Sequence, residues 1–185
     1  GEPLQPVPGH HRRKLAAVKW NDHEERRVLK NGDNIPPVGE VVETGPLGWA
    51  RFYYKDDSII DLGPGTLFAT QQFQMDGKER HITLRLLKGR IRVLVVRKLE
   101  GRSTYQVTTP GALISVRGTD FAVHTDLSGD KARTWVLGIR GQVTVDLARN
   151  HKKGEVYHQP VVVNTYSMLS AESAGGYALS FDLED

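Results

Sequence analysis

The stretch Ile82-Thr83-Leu84-Arg85-Leu86-Leu87-Lys88-Gly89-Arg90-Ile91-Arg92-Val93-Leu94-Val95 alternates in character with period two. That is the repeat of an extended strand, whose successive side chains point to opposite faces. Ile82, Leu84 and Leu86 share one face, with Thr83, Arg85 and Leu87 on the other. After Lys88-Gly89, read as a turn, Ile91, Val93 and Val95 alternate with Arg92 and Leu94. Working outward, Ala50, Phe52 and Tyr54 alternate with Arg51, Tyr53 and Lys55, and Val143, Val145 and Leu147 with Thr144 and Asp146. Turn-forming groups separate these runs: Asn31-Gly32-Asp33, Lys55-Asp56-Asp57, Gly63-Pro64-Gly65, Asp76-Gly77, Pro110-Gly111, Ser128-Gly129-Asp130 and Arg140-Gly141. Residues Asn21–Lys30 could be capped as a short helix, but Val28 and Leu29 are too little apolar content for a core-facing stripe. They read as a charged hairpin or loop leading into a strand. The fold class is all-β.

A glycine followed by a β-rich run recurs in Lys88-Gly89-Arg90-Ile91-Arg92-Val93, Arg117-Gly118-Thr119-Asp120-Phe121-Ala122-Val123 and Arg140-Gly141-Gln142-Val143-Thr144-Val145. The intervals are unequal, which excludes a strict solenoid. Stacked short strands in a β-roll, an irregular β-helix or a sandwich-like arrangement all suit the rhythm.

The 185 residues are 38% apolar and 25% charged, enough for one domain with a core. Apolar runs are only a few residues long, as around Val93–Val96, so no transmembrane helix is expected. No signal peptide is present in the chain as given. The absence of cysteine excludes disulfides, thiolate metal sites and a cysteine nucleophile. The net charge of +3 arises from 25 basic and 22 acidic residues, a small excess despite a sequence pI of about 9.2. The one dense cationic cluster, His10-His11-Arg12-Arg13-Lys14, follows a Pro-containing start and reads as a solvated arm over residues 1–14. Nucleic-acid binding is therefore not expected.

From Lys30-Asn31-Gly32-Asp33-Asn34-Ile35 through Val42-Glu43-Thr44-Gly45, Ala50 to Leu62, Gly63-Pro64-Gly65-Thr66-Leu67, Leu86 to Arg92, Tyr105 to Pro110, Arg117-Gly118-Thr119-Asp120-Phe121 and Ile139 to Val143, the order of motifs resembles the FecR domain. The family is named for the bacterial ferric-citrate regulator. The resemblance runs from about Leu15 to Leu169, giving a β domain over 15–169 and a C-terminal extension over 170–185. It implies a periplasmic or secreted location and a non-catalytic role in sensing or scaffolding through an envelope protein partner, not iron sensing. Neither the cytoplasmic segment and membrane helix of the named regulator nor room for its additional C-terminal subdomain is expected in this chain.

The motif Arg117, Gly118, Thr119, Asp120, Phe121 is expected to hold the fold. Gly32, Gly89, Gly118 and Gly141 would reverse the chain at positive φ. Thr119 and Asp120 would bond nearby backbone amides, and Phe121 would enter the core. Asp56-Asp57 replaces the family's Asp-Gly turn at a cost of about 1 kcal/mol for a left-handed aspartate. Gly138 stands where an apolar inward residue is expected and would weaken its strand.

Catalytic residues are expected to be none. There is no Gly-x-Ser-x-Gly elbow, Gly63-Pro64-Gly65 lacks an amide that a phosphate loop needs, and Glu24-Glu25 and Asp56-Asp57 read as solvated acids. No cofactor is expected, and no metal. The seven histidines, His10, His11, His23, His81, His124, His151 and His158, include no His-x-x-x-His pair; His81 and His124 read as satisfied surface residues, and Asp126 to Asp130 as a hairpin turn rather than a calcium loop. The candidate binding surface is Trp49, Tyr53, Trp135 and Leu137, out of phase with the inferred core. A covering layer or the N-terminal segment over Trp135 is one reading. A protein-binding face is another, with envelope glycan such as peptidoglycan as the alternative ligand.

Overall fold

The computed structural model of the chain describes residues 15–19, 26–128, 131–147 and 160–173. Fourteen strands and no helix are present among them: β1 Leu15–Lys19, β2 Arg26–Leu29, β3 Glu40–Thr44, β4 Ala50–Tyr53, β5 Ile59–Leu62, β6 Leu67–Asp76, β7 Glu79–Leu94, β8 Thr104–Thr109, β9 Ala112–Val116, β10 Asp120–Ser128, β11 Lys131–Arg140, β12 Val143–Leu147, β13 Val161–Val163 and β14 Met168–Ser173. β2 pairs back on β1, as the hairpin reading of the charged N-terminal stretch requires. The N-terminal arm and residues 174–185 lie outside the described residues, while β14 runs across position 169.

One sheet has the order β13-β12-β9-β8-β7-β6-β3-β1-β2; a second runs β4-β5-β7-β10-β11-β14. The sixteen residues of β7 belong to both, so the expected turn at Lys88-Gly89 is absent and the two runs form one bent strand. The reason is a bulge. Leu67 pairs with Lys88 and Phe68 with Leu86, leaving Leu87 without a partner. Ile82, Leu84 and Leu86 face inward in the first sheet, and Ile91 and Val93 in the second, so the alternation slips by one across the bend. Gly89 takes φ +91° there, and any Cβ on it would meet the Cα and hydroxyl of Thr66. The Arg90 amide donates to Thr66 Oγ1 at 3.0 Å, while that hydroxyl contacts the Arg90 carbonyl at 3.1 Å. Thr66 thus fills the bend and occupies the backbone groups that the strand exposes in changing sheets.

β8 returns to the first sheet parallel to β7, whereas the other pairings are antiparallel. The two sheets close on one core in a nearly complete barrel. Ile60, Leu62, Phe68, Ile82, Leu84, Tyr105, Val107, Ile114, Phe121, Val123 and Val136 are buried within it. Burying a large apolar side chain of this kind contributes roughly 1.5–3 kcal/mol, and Phe121 of the motif is buried completely. Gly118 has φ +75°, as a tight corner demands, and Arg117 is exposed.

Three structural expectations are corrected. Asp120 does not serve backbone amides; it forms a two-pronged pair with Arg92, with Nε–Oδ1 at 2.9 Å and Nη2–Oδ2 at 2.7 Å. Thr119 Oγ1 is buried without a hydrogen-bond partner, its methyl group lying against Gly141. Gly138 is a close-approach site rather than a weak point. The Asn164 carbonyl occupies the space a Cβ would need, the Tyr166 amide donates to the Gly138 carbonyl at 2.7 Å, and the Gly138 amide donates to the Ser167 carbonyl at 2.9 Å.

Candidate functional site

The outer face of the second sheet collects the surface residues singled out in the sequence. In β4, Arg51 and Tyr53 point outward because Ala50, Phe52 and Tyr54 face the core. In β11, Thr134, Val136 and Gly138 are buried, which sends Trp135 and Leu137 outward. Tyr53 is 66% exposed, Trp49 47% and Leu137 40%, and Trp135 is half-buried. The strand order places β5, β7 and β10 between β4 and β11. Four strand spacings amount to about 19 Å. Tyr53 and Trp135 therefore share a face without sharing a contact.

Register fixes what lies between them. One row runs Arg51–Asp61–Arg92–Ala122–Leu137–Met168. Arg51 holds Asp61 through Nε–Oδ1 at 2.6 Å and Nη2–Oδ2 at 2.8 Å, and Arg92 reaches diagonally to Asp120. The hydrogen-bonded pairing with Asp61 raises the Arg51 guanidinium above its ordinary value, and pairing with Asp120 does the same for Arg92. These cations keep their charge, and the fork geometry orients them. The Arg51–Asp61 pair is exposed and contributes little to stability, whereas the Asp120 carboxylate is buried beneath Arg92; both pairs fix the polar pattern of the face. The end of this row is apolar, with Met168 67% exposed beside Leu137.

The neighbouring row contains Arg90, His124, Trp135 and Ser170. The His124 ring stacks on Trp135 at 4.8 Å between centroids and 19° between planes, and Arg133 stands 5.9 Å from the same indole. Among the described residues, His124 and Arg133 of the same sheet lie against Trp135; the N-terminal arm, the alternative cover, lies outside them. His124 lies within β10 as part of the aromatic row, while His81 lies within β7 with Nδ1 3.1 Å from Thr104 Oγ1. The remaining histidines lie outside the described residues. Among the described residues no group of three His, Asp or Glu side chains is placed to hold a metal ion.

One buried polar cluster contradicts the sequence reading. Asp56, expected as a solvated turn acid, is fully buried; only Asp57 is exposed, at φ +64° as the left-handed reading requires. Asp56 Oδ1 accepts from the Ser58 hydroxyl at 2.6 Å and amide at 3.2 Å, and Oδ2 lies 3.4 Å from Arg80 Nη1. Arg80, 5% exposed, also donates to the carbonyls of Asp56 and Lys98, each at 3.1 Å, and to that of Arg97. Tyr105 donates to Ser58 Oγ at 3.2 Å, and Tyr54 shares a 2.6 Å hydrogen bond with Thr70. Burial pushes both phenols well above the ordinary tyrosine value. The cluster fastens the β4–β5 hairpin, which presents Arg51 and Tyr53, to the first sheet. It was missed because an acidic pair in a turn carries no signal for an arginine 24 positions downstream. Met168 was missed because the edge pairing of β14 is not visible in its own short run.

No curated protein matches the chain. Two crystal structures of a candidate anti-sigma factor from Parabacteroides distasonis are similar at 18% identity, with TM-scores of 0.49 and 0.47. The likeness covers 73% of this chain and 60% of theirs, so the chain spans less than two thirds of their length. No helix among the described residues is long and apolar enough to cross a membrane. The family model for the FecR protein matches residues 40–144, which run from β3 into the start of β12 and include the bend at Gly89 and the Gly118–Phe121 corner: the chain belongs to the FecR family.

Proposed function

We propose that this chain is a non-enzymatic regulatory or sensing module of the bacterial envelope, periplasmic or secreted, that acts by binding a protein across the outer face of its second sheet. The observation that carries the reading is the composition of that face. Tyr53, Leu137 and Met168 are exposed around oriented Arg–Asp pairs, an arrangement of apolar anchors and fixed polar groups typical of protein interfaces. Family membership supports the regulatory part. The sequence offers no nucleophile and base in a recognisable arrangement, which supports a non-enzymatic role.

A glycan-binding role for Trp49, Tyr53 and Trp135 is less well supported. A sugar ring needs an open aromatic platform, and Trp135 is already stacked on His124 and lies four strands from Tyr53. Photo-crosslinking tests the preferred reading. A benzoylphenylalanine at position 53 or 137 should give an adduct with a discrete protein in the producing bacterium, and one at position 87, on the first sheet, should not. Equal adducts from both sheets, or none from the second, would refute it.

A further inference from the structure

Arg90 differs from the other arginines on this face. Arg51 is held by Asp61, Arg92 by Asp120, and Arg133 stands in register with Asp126. The neighbours of Arg90 across the sheet are Gly63, whose amide donates to the Arg90 carbonyl at 2.9 Å, and His124. Among the described residues no carboxylate reaches it. Its side chain is nevertheless placed. The stem lies over Gly63, with Cγ and Nε 2.5 and 2.7 Å from where a Cβ would stand. An exposed guanidinium laid on a glycine, with no carboxylate of the described residues against it while Arg51 and Arg92 on the same face each hold one, is complementary to an external anion. His124 and the Trp135 indole continue the row, and Leu137 and Met168 lie one side-chain repeat farther along the strands. That repeat is about 6.8 Å, the separation of residues i and i+2 in an extended chain.

We propose that Arg90, His124 and Trp135 receive a carboxylate of an extended acidic segment of a partner protein, whose apolar residue two positions on settles against Leu137 and Met168. The inference rests on the protein-binding reading above and names the chemistry recognised.

The test uses the full chain, with nitrogen-15 labelling, and two synthetic probes: acetyl-Glu-Ser-Leu-Ser-Glu-Ser-Leu-amide and its Lys-for-Glu counterpart. The Glu peptide should shift the Arg90 Nε–H and Trp135 Nε1–H resonances in a saturable way, and the Lys peptide should not. Arg90→Gln should weaken the Glu peptide about tenfold, the loss of one charge-assisted hydrogen bond of about 1.4 kcal/mol. Arg90→Lys should recover part of the loss, and Arg85→Gln, on the first sheet, should leave binding unchanged. No shift with the Glu peptide, or undiminished affinity in Arg90→Gln, would overturn the proposal. So would a muropeptide that shifts the same resonances when the Glu peptide does not, which would reassign the row to glycan. A protein adduct from position 137 that persists in Arg90→Gln would sink this inference while leaving the protein-binding reading intact.

Discussion

Replacing Asp56 by alanine should be among the most damaging single changes in this protein, although the residue lies in a hairpin turn. The substitution removes the carboxylate facing Arg80 and leaves a guanidinium that is 5% exposed with backbone carbonyls as its remaining partners. Breaking a buried pair from one side costs about 3–5 kcal/mol, because the surviving charge has lost both water and counter-charge. The carbonyls of Asp56, Arg97 and Lys98 still accept from Arg80, and the pair distance of 3.4 Å is long. The lower end, about 3 kcal/mol, is therefore expected. Against a typical domain stability of about 5–15 kcal/mol this is a large fraction. Urea unfolding of the parent, Asp56→Ala, Arg80→Met and the double variant gives a complete cycle. The double variant should be more stable than Asp56→Ala alone, since no charge is then stranded. If Asp56→Ala unfolds within about 1 kcal/mol of the parent, or the two changes simply add, the pair is not an electrostatic fastener and the reasoning fails.

Phe121→Ala should cost about 3–5 kcal/mol by opening a cavity, while Arg117→Ala, at an exposed position, should melt close to the parent; thermal melts of both separate a structural corner from a recognition motif. Gly118→Val should also lower the melting temperature, because φ is +75° and a Cβ would stand 3.3 Å from the Lys98 Cα. Gly138→Ala should destabilise despite improved β propensity, by forcing the Asn164 carbonyl away; hydrogen exchange should show the Tyr166 and Gly138 amides losing protection first. Stability should also fall at high pH. Tyr54 and Tyr105 keep their protons in the folded state to values above those of an unfolded tyrosine. Their contribution is intact below about pH 10 and is lost as pH rises from there towards the raised folded values. Phenolate absorbance from these two residues should appear together with unfolding, and Tyr105→Phe should reduce the alkaline loss. A Tyr105 that ionises well before the fold is lost would contradict its burial.

Much of the architecture was legible because alternation is a local property. The phase of Ala50, Phe52 and Tyr54 against Arg51 and Tyr53, and that of Val136 against Trp135 and Leu137, assigns inward and outward faces without knowledge of any partner strand. Positive φ at Gly118 and Gly141 is likewise a local steric demand. Gly89 marks the limit. A glycine between two alternating runs signals broken regularity, but a hairpin turn and a bulge inside a continuing strand require the same residue. Which one forms was decided by Thr66, 23 positions earlier, filling the bend, and by β5 and β10 pairing with the second half of β7. Asp56 became a buried ion because Arg80, itself held by the carbonyls of residues 97 and 98, reaches it from a strand distant in sequence. Gly138 became a necessity because the Asn164 carbonyl arrives from a different strand connection. The sequence by itself determined which side of β4, β7, β11 and β12 meets water. Burial of charge, close backbone approach and the assembly of Arg90, His124 and Trp135 into one row depend on contacts between residues distant in sequence, and those only the tertiary structure decided.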